Sequence, residues 1–164
     1  MTAATLFRTN RNALDGLLLL LRLAMGVVMF PHGAQKMLGW FGGSGFGGTM
    51  QFFTGMVHVP AFLGVLAILA EFLGSIFLIL GVLTRFAALA ITTNMLVAVS
   101  LIHVHNGFFM NWSGHQKGEG MEFFIYAIAV GVTLIIARPG RFSVDAQLAR
   151  ADPDAHLYRT GALR

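Results

Sequence analysis

The sequence predicts an all-α integral membrane protein, a four-helix bundle, and three observations carry this prediction. Hydrophobic residues make up 56% of the 164 residues and charged residues only 11%, whereas soluble domains carry about 25% charged residues. Mean hydropathy is +0.73. A hydrocarbon core about 30 Å thick needs roughly 20 apolar residues per helix, so this length holds four spans and no second domain.

Four stretches are long and apolar enough to be spans, and each has a recognisable beginning or end. The predicted spans are residues 17–37, 60–83, 86–105 and 121–137. Pro60 suits a first helical turn, and Pro139 stops the fourth span. The short link from Gly81 to Arg85 makes the second and third spans antiparallel neighbours. The first stretch is too long for a removable signal peptide, so we expect a retained helix.

Three segments follow from these spans: residues 1–16 precede the bundle, 17–142 form the transmembrane domain, and 143–164 form a tail. The loop 38–59 is rich in glycine and then in aromatic residues, with no charged residue. Aromatic residues favour the headgroup level, so we predict a short surface helix over 49–58; a re-entrant loop is the alternative.

Basic residues near the span ends predict the orientation, because positive residues accumulate on the cytoplasmic side. One side carries Arg8, Arg11, Arg85, Arg138, Arg141 and Arg150; the other carries Lys117 and the boundary residue Lys36. Both termini and the tail are therefore predicted to be cytoplasmic. The net charge of +4 follows this membrane pattern, which excludes nucleic acid as the expected partner.

Ionisable residues inside the spans are the candidate functional residues, because each costs about 2.5 to 3.5 kcal/mol at a span centre. Counted along the helices, five such residues from four spans lie between about 18 and 28 Å from the cytoplasmic ends. This predicted polar layer consists of Glu71, His32, Glu122, His103 and Lys36. The alternatives are a neutral Glu71 that only packs, and headgroup contacts for Lys36 and Glu122.

Other residues of the spans have simpler interpretations. Arg22 lies about 8 Å above the cytoplasmic end, so its side chain is expected to reach the headgroups; an anion or partner contact is the alternative. Gly26 and Gly33 share a helix face, which allows close approach of backbones. Asn94 is able to bridge helices. Without cysteine, thiolate metal sites and cysteine-ligated clusters are excluded, and no metal site is predicted.

The chain resembles the DoxX family over nearly its whole length. The runs that carry the resemblance are 22–26 (RLAMG), 31–36 (PHGAQK), 39–43 (GWFGG), 70–74 (AEFLG), 80–85 (LGVLTR), 119–122 (EGME) and 140–145 (GRFSVD). The resemblance implies a small multi-pass protein of the bacterial inner membrane, tied to oxidoreductase and quinone chemistry. The family pattern falls on Arg22, His32, Lys36, Glu71, Arg85 and Glu122, without an established role for any of them.

The first functional hypothesis is a membrane subunit of an oxidoreductase system that binds a quinone at the polar layer. His32, Lys36, Glu71, His103 and Glu122, together with Arg22, are its candidate binding residues, and Glu71 or His32 would handle the proton. No intrinsic cofactor is recognised, so the electrons come from a partner redox protein. A homo-oligomer is the other expected assembly. The alternatives are a proton-linked carrier or channel and a non-catalytic scaffold.

Overall fold

The computed structural model describes residues 10–151, and all regular elements in this range are helices. The helices are α1 (Arg11–Leu38), α2 (Gly45–Gln51), α3 (Ala61–Leu80), α4 (Thr84–Leu101), α5 (Glu122–Ile136) and α6 (Val144–Ala151). Short 3-10 turns lie at Trp40–Gly42 and His103–Asn106, and a π turn at Phe52–Met56. Arg8 and most of the predicted tail lie outside the described residues.

The predicted spans correspond to α1, α3, α4 and α5, with shifted ends. Helix α1 begins before residue 17 because the Asn10 side chain caps it, accepting a hydrogen bond from the Asn12 amide at 3.0 Å. It continues through Pro31 to Leu38. Within the described range, α1, α3 and α4 are long and apolar enough to cross a membrane, whereas α5 is a shorter apolar helix of 15 residues.

Helices α1, α3, α4 and α5 pack side by side, each antiparallel to the one before it. Two glycines of α1 bring it against α3: a Cβ on Gly26 would lie 2.9 Å from the Ser75 carbonyl oxygen, and one on Gly33 would lie 2.6 Å from the Phe72 Cα. The order of these contacts runs in opposite directions along the two helices. The prediction that these glycines allow close approach is confirmed, because no side chain fits between the backbones.

The apolar core lies between α1, α3, α4 and α5. Its most buried side chains include Met29, Leu78, Ile91, Met95 and Leu134. Large apolar side chains also cover the outside of the helices, and Phe62 and Phe86 are each 66% exposed. A helix that is apolar on all faces belongs in a membrane or a large core. The outward faces therefore suit contact with lipid chains.

The loop after α1 contains the predicted surface helix, but this helix begins earlier than expected. Helix α2 starts at Gly45 and continues through the π turn to Met56. Thr49 is buried, and its hydroxyl donates to the Lys36 carbonyl oxygen at 3.3 Å. This bond fixes α2 across the end of α1. A π turn is an uncommon element that often occurs at functional sites.

Candidate functional site

Three side chains from three helices form a connected polar site inside the bundle. The Lys36 ammonium lies 2.5 Å from Glu71 Oε2, and the Asn94 amide donates to Glu71 Oε1 at 2.8 Å. Asn94 Nδ2 also lies 3.4 Å from the Ala67 carbonyl oxygen. We call Lys36, Glu71 and Asn94 the polar triad. It joins α1, α3 and α4 mainly through bonds between side chains.

The inward direction of Lys36 follows from helix geometry. Side chains of an α-helix lean toward its N-terminus, so a lysine near the end of α1 extends back into the bundle. Lys36 follows Gly33, where α1 and α3 touch, by three residues, and its side chain enters between the helices. The alternative, in which Lys36 reaches the headgroups, is not the arrangement found, because its ammonium is paired with Glu71.

Burial and charge make the triad a costly arrangement that requires pairing. The Glu71 side chain is 6% exposed and the Lys36 side chain 28% exposed. A carboxylate in apolar surroundings is expensive unless an opposite charge and hydrogen bonds compensate for the lost water. Glu71 has both, since Lys36 binds one oxygen and Asn94 the other.

An open groove of about 790 Å³ runs along the outside of α3 and α4, next to the triad. Beside larger apolar side chains, the groove is lined by seven small residues: Gly64, Ala67, Ala70, Gly74, Ala87, Ala90 and Ala98. Phe53 and Val57 from the π turn region close one end. Asn94 belongs to the lining, while Glu71 and Lys36 lie behind it. The groove is therefore mainly apolar, and Asn94 of the triad lies in its wall.

The other members of the predicted polar layer lie apart from the triad. His32 is exposed on α1, with its ring 5.9 Å from the Phe123 ring. His103 Nδ1 lies 2.8 Å from the Glu119 carbonyl oxygen. Glu122 Oε2 accepts a hydrogen bond from the Met110 amide at 3.2 Å. In residues 10–151, no hydrogen bond or ion pair links His32, His103 or Glu122 side chains to Glu71.

Arg22 belongs to a second polar site at the end of the bundle where α1 begins. Its side chain is 1% exposed, and Nη2 donates to the Phe142 carbonyl oxygen at 2.6 Å. The expectation that Arg22 reaches the headgroups is wrong. The chain after α5 folds over this part of α1, so the guanidinium is enclosed. Its Nε and Nη1 have no hydrogen-bond partner among the described residues.

Two acidic side chains, Asp15 and Asp145, complete this second site. We call the site the terminal cluster, and its members are Asp15, Arg22, Ser143 and Asp145. Asp145 accepts hydrogen bonds from the amides of Leu83 and Thr84, at 2.8 and 2.9 Å, and thereby caps α4. The buried Asp15 accepts from the Arg141 amide at 3.1 Å. The terminal cluster therefore ties the segment after α5 to the beginning of α1 and to the α3–α4 link.

Sequence reasoning found Lys36 and Glu71 but gave Asn94 only a bridging role and gave Asp15 and Asp145 none. The bridging role of Asn94 is confirmed by its bond to Glu71. A signal for Asp145 existed, because Ser143 and Asp145 stand at the start of α6 in a pattern typical of a helix N-terminus. Nothing in the chain order indicated that this carboxylate also caps α4.

The fold and the site together define a class: helical proteins with membrane-spanning length and a charged pair enclosed between helices. Comparison with known proteins then gives the family. The DoxX family model matches residues 17–104. The chain belongs to the DoxX family. The matched stretch contains the whole polar triad and every residue that lines the groove, whereas α5 and the segment after it lie outside.

One relative among curated proteins is "Putative oxidoreductase CatD" of Bacillus subtilis (strain 168). It is 28% identical to this chain over 93 residues, which are 57% of this chain and 64% of the relative. The match thus spans somewhat less than two thirds of the relative's length. No solved structure is significantly similar to the chain.

Proposed function

We propose that this chain is the membrane subunit of an oxidoreductase system and that it binds a quinone in the α3–α4 groove. Family membership and the relative's name support the redox class. The observation that carries the proposal is the position of Asn94, a polar side chain in the wall of a groove whose other lining residues are apolar except for His58 and Thr93. A quinone has a polar ring and a long apolar tail, and this groove suits both parts.

The residues of the triad have separate roles in this proposal. Asn94 contacts the ring, because it lines the groove. Glu71 orients Asn94 and is the proposed proton acceptor, and Lys36 holds the Glu71 carboxylate in place. His32, the other proton candidate, is exposed on α1 and does not line the groove. The two electrons of a quinone couple pass to or from a partner redox protein, and its two protons to or from Glu71 and water.

The proposal includes a membrane arrangement with four spans in a bacterial inner membrane and both termini in the cytoplasm. Three arginines support it by their positions: Arg85 donates to the Ala137 carbonyl oxygen, Arg138 pairs with Asp15, and Arg141 bonds to Asn12. All three therefore lie at one end of the bundle, as expected for a cytoplasmic end. Helix α5 is about 22 Å long, short enough to require local thinning of the bilayer.

Blocking the groove tests the proposal directly. Ala90→Phe fills the groove from α4, and Ala129→Phe, on an exposed face of α5, is the matched control. Both variants, in lipid nanodiscs, are titrated with a short-chain benzoquinone in both redox forms. We expect saturable binding by the original chain and Ala129→Phe, and at least tenfold weaker binding by Ala90→Phe. Equal binding by all three, or no saturable binding by any, contradicts the proposal.

Native extraction gives an independent measurement. The chain is isolated in polymer discs with its own lipids, and the small molecules and proteins that accompany it are identified by mass spectrometry and visible absorption. A quinone that is present with the original chain and lost from Ala90→Phe supports the groove as its site. Phospholipid alone, in the same amount for both, favours a carrier or a scaffold instead.

A further inference from the structure

The amide of Asn94 has a defined orientation, and this orientation decides what the groove offers to a ligand. Nδ2 donates to Glu71 Oε1 at 2.8 Å and lies 3.4 Å from the Ala67 carbonyl oxygen. Both inner neighbours are acceptors. The reversed amide would place Oδ1 against a carboxylate and a carbonyl, which is repulsive. The oxygen of Asn94 therefore points away from the triad.

The outward oxygen of Asn94 is free to accept a hydrogen bond. No donor from the described part of the chain bonds to Oδ1, and this atom is not among the buried atoms that lack a partner. Since Asn94 lines the groove, the wall presents an acceptor at this point. Thr93 and His58 also line the groove, but a hydroxyl or a neutral imidazole is able either to donate or to accept a hydrogen bond, so neither discriminates between the two forms of the ring.

We propose that Asn94 makes the groove select a hydroxyl-bearing ring, the quinol, over the oxidised quinone. This inference rests on the proposed function. A quinol hydroxyl donates to Oδ1, whereas a quinone carbonyl has no hydrogen and would place one oxygen against another. A site that hydrogen-bonds a hydroxyl discriminates against the analogue that lacks it. We expect about tenfold tighter binding of the quinol.

A preference of this kind has a redox consequence. Tighter binding of the reduced form raises the midpoint potential of the bound couple above that of the free couple. For a two-electron couple, a tenfold preference corresponds to about 30 mV. The bound ring then holds its electrons more firmly than the same ring in the lipid. Glu71 and Lys36 act on this preference only through Asn94, so they are positioning residues.

The Lys36–Glu71 pair allows the preference to be reversed by one substitution. In Glu71→Gln, the Lys36 ammonium still requires an acceptor, so it orients the new carboxamide with its oxygen toward Lys36 and its NH2 toward Asn94. Asn94 then turns its own oxygen inward to accept this bond and presents Nδ2 to the groove. Asn94 gives up its long contact with the Ala67 carbonyl oxygen, at 3.4 Å, in order to keep the shorter hydrogen bond to residue 71, at 2.8 Å in the original chain. The groove now offers a donor, which suits a quinone carbonyl.

The test measures dissociation constants of a short-chain benzoquinone and its hydroquinone under anaerobic conditions, with the full chain in nanodiscs. For the original chain we expect a quinol-to-quinone preference of about tenfold. Asn94→Leu should bring the ratio close to one, and Glu71→Gln should invert it. Ser100→Ala, an exposed position of α4 outside the groove lining, should leave it unchanged. A purely structural role of Glu71 would not invert a ratio.

The outcomes separate this inference from the proposed function. Saturable binding of both forms with equal affinity, or a preference that survives in Asn94→Leu, overturns the inference and leaves the quinone site standing. A short prenyl alcohol that binds as tightly as the quinol overturns the quinol as occupant, because the hydroxyl alone is then recognised. Binding of neither form overturns the proposed function and the inference together. Should Asn94→Leu fail to fold, Glu71→Gln alone decides, since an uninverted ratio contradicts the inference.

Discussion

The polar triad and the terminal cluster are both buried in an apolar bundle, but they form different kinds of bonds. In the terminal cluster, Arg22, Asp15 and Asp145 bond mainly to backbone groups of segments that must meet for the chain to close. In the triad, the main bonds run from side chain to side chain. Backbone contacts fix a chain path. Side-chain contacts that end at an open groove leave a polar atom available to a ligand.

This difference separates structural from functional charges within one protein. Both sites have the free-energy cost of burying charged side chains away from water. A charge inside the membrane therefore does not by itself identify a binding site. What distinguishes the triad is the groove beside it and the free acceptor of Asn94. The groove does not reach the terminal cluster, whose bonds hold the chain after α5 in place. Four substitutions test this distinction.

The largest expected effect comes from breaking the charged pair. Glu71→Leu leaves the Lys36 ammonium and the Asn94 amide without their acceptor, and we expect a loss of about 3 kcal/mol in the free energy of unfolding. This expected loss is at the lower end of the range for breaking a buried ion pair, because 28% of the Lys36 side chain is exposed to solvent. Unfolding in mixed detergent micelles measures it. The double variant Lys36→Met/Glu71→Leu also removes the unpaired ammonium, so most of the lost stability should return. If the double variant is as unstable as Glu71→Leu, the loss does not come from an unpaired charge.

Next in size is the contact that allows the triad to form. In Gly33→Ala, the new Cβ would lie 2.6 Å from the Phe72 Cα, and backbone cannot move aside cheaply. We expect a loss of about 2 kcal/mol in the same unfolding measurement, since α1 and α3 must separate. Gly16→Ala is the control, because nothing lies within 4 Å of its Cβ. A similar loss in both variants would show that helix separation is not the cause.

A smaller effect is expected at the terminal cluster. Asp145→Ala removes the acceptor for the Leu83 and Thr84 amides, a loss comparable to that of a helix cap, about 1 kcal/mol. Hydrogen exchange should become faster in α6 and at the start of α4. The control is Gln147→Ala, an exposed position of the same helix. Unchanged exchange at Leu83 and Thr84 would show that Asp145 does not hold these amides.

The smallest effect is expected for the exposed ion pair. Arg138 lies 3.2 Å from Asp15, but its side chain is 55% exposed, so water and salt screen the attraction. We expect Arg138→Gln to change the free energy of unfolding by less than about 0.5 kcal/mol at moderate salt. Asp15 keeps the Arg141 amide as a donor in this variant. A loss above 1 kcal/mol would place Arg138 with the buried charges instead.

The helices were predictable from the sequence, and the pairing of charges was not. Long apolar stretches are a local property, so α1, α3, α4 and α5 were found with errors of a few residues at their ends. Depth counted along the backbone placed Lys36 about 10 Å from the level of Glu71. A lysine side chain that extends toward the helix N-terminus closes this difference. The same counting placed His103 and Glu122 in the layer, although both bond within the loop before α5.

The terminal cluster shows why some site residues were missed. Asp145 stands beyond the last predicted span, and no sequence rule relates it to Leu83, which is 62 residues earlier in the chain. Arg22 was expected to reach the headgroups because nothing in its neighbourhood indicated that a later segment would cover it. Contacts between distant segments depend on how the helices rotate and on the path of the chain after α5.

The sequence by itself determined that this chain forms apolar helices and carries a few ionisable residues within them, because hydropathy and residue type are read along the chain. The tertiary structure alone decided which of these residues meet. It brought Lys36, Glu71 and Asn94 together and left His32 outside, because helix packing sets the rotation of each face. The same packing formed the groove between α3 and α4 and turned the free oxygen of Asn94 away from the acceptors behind it.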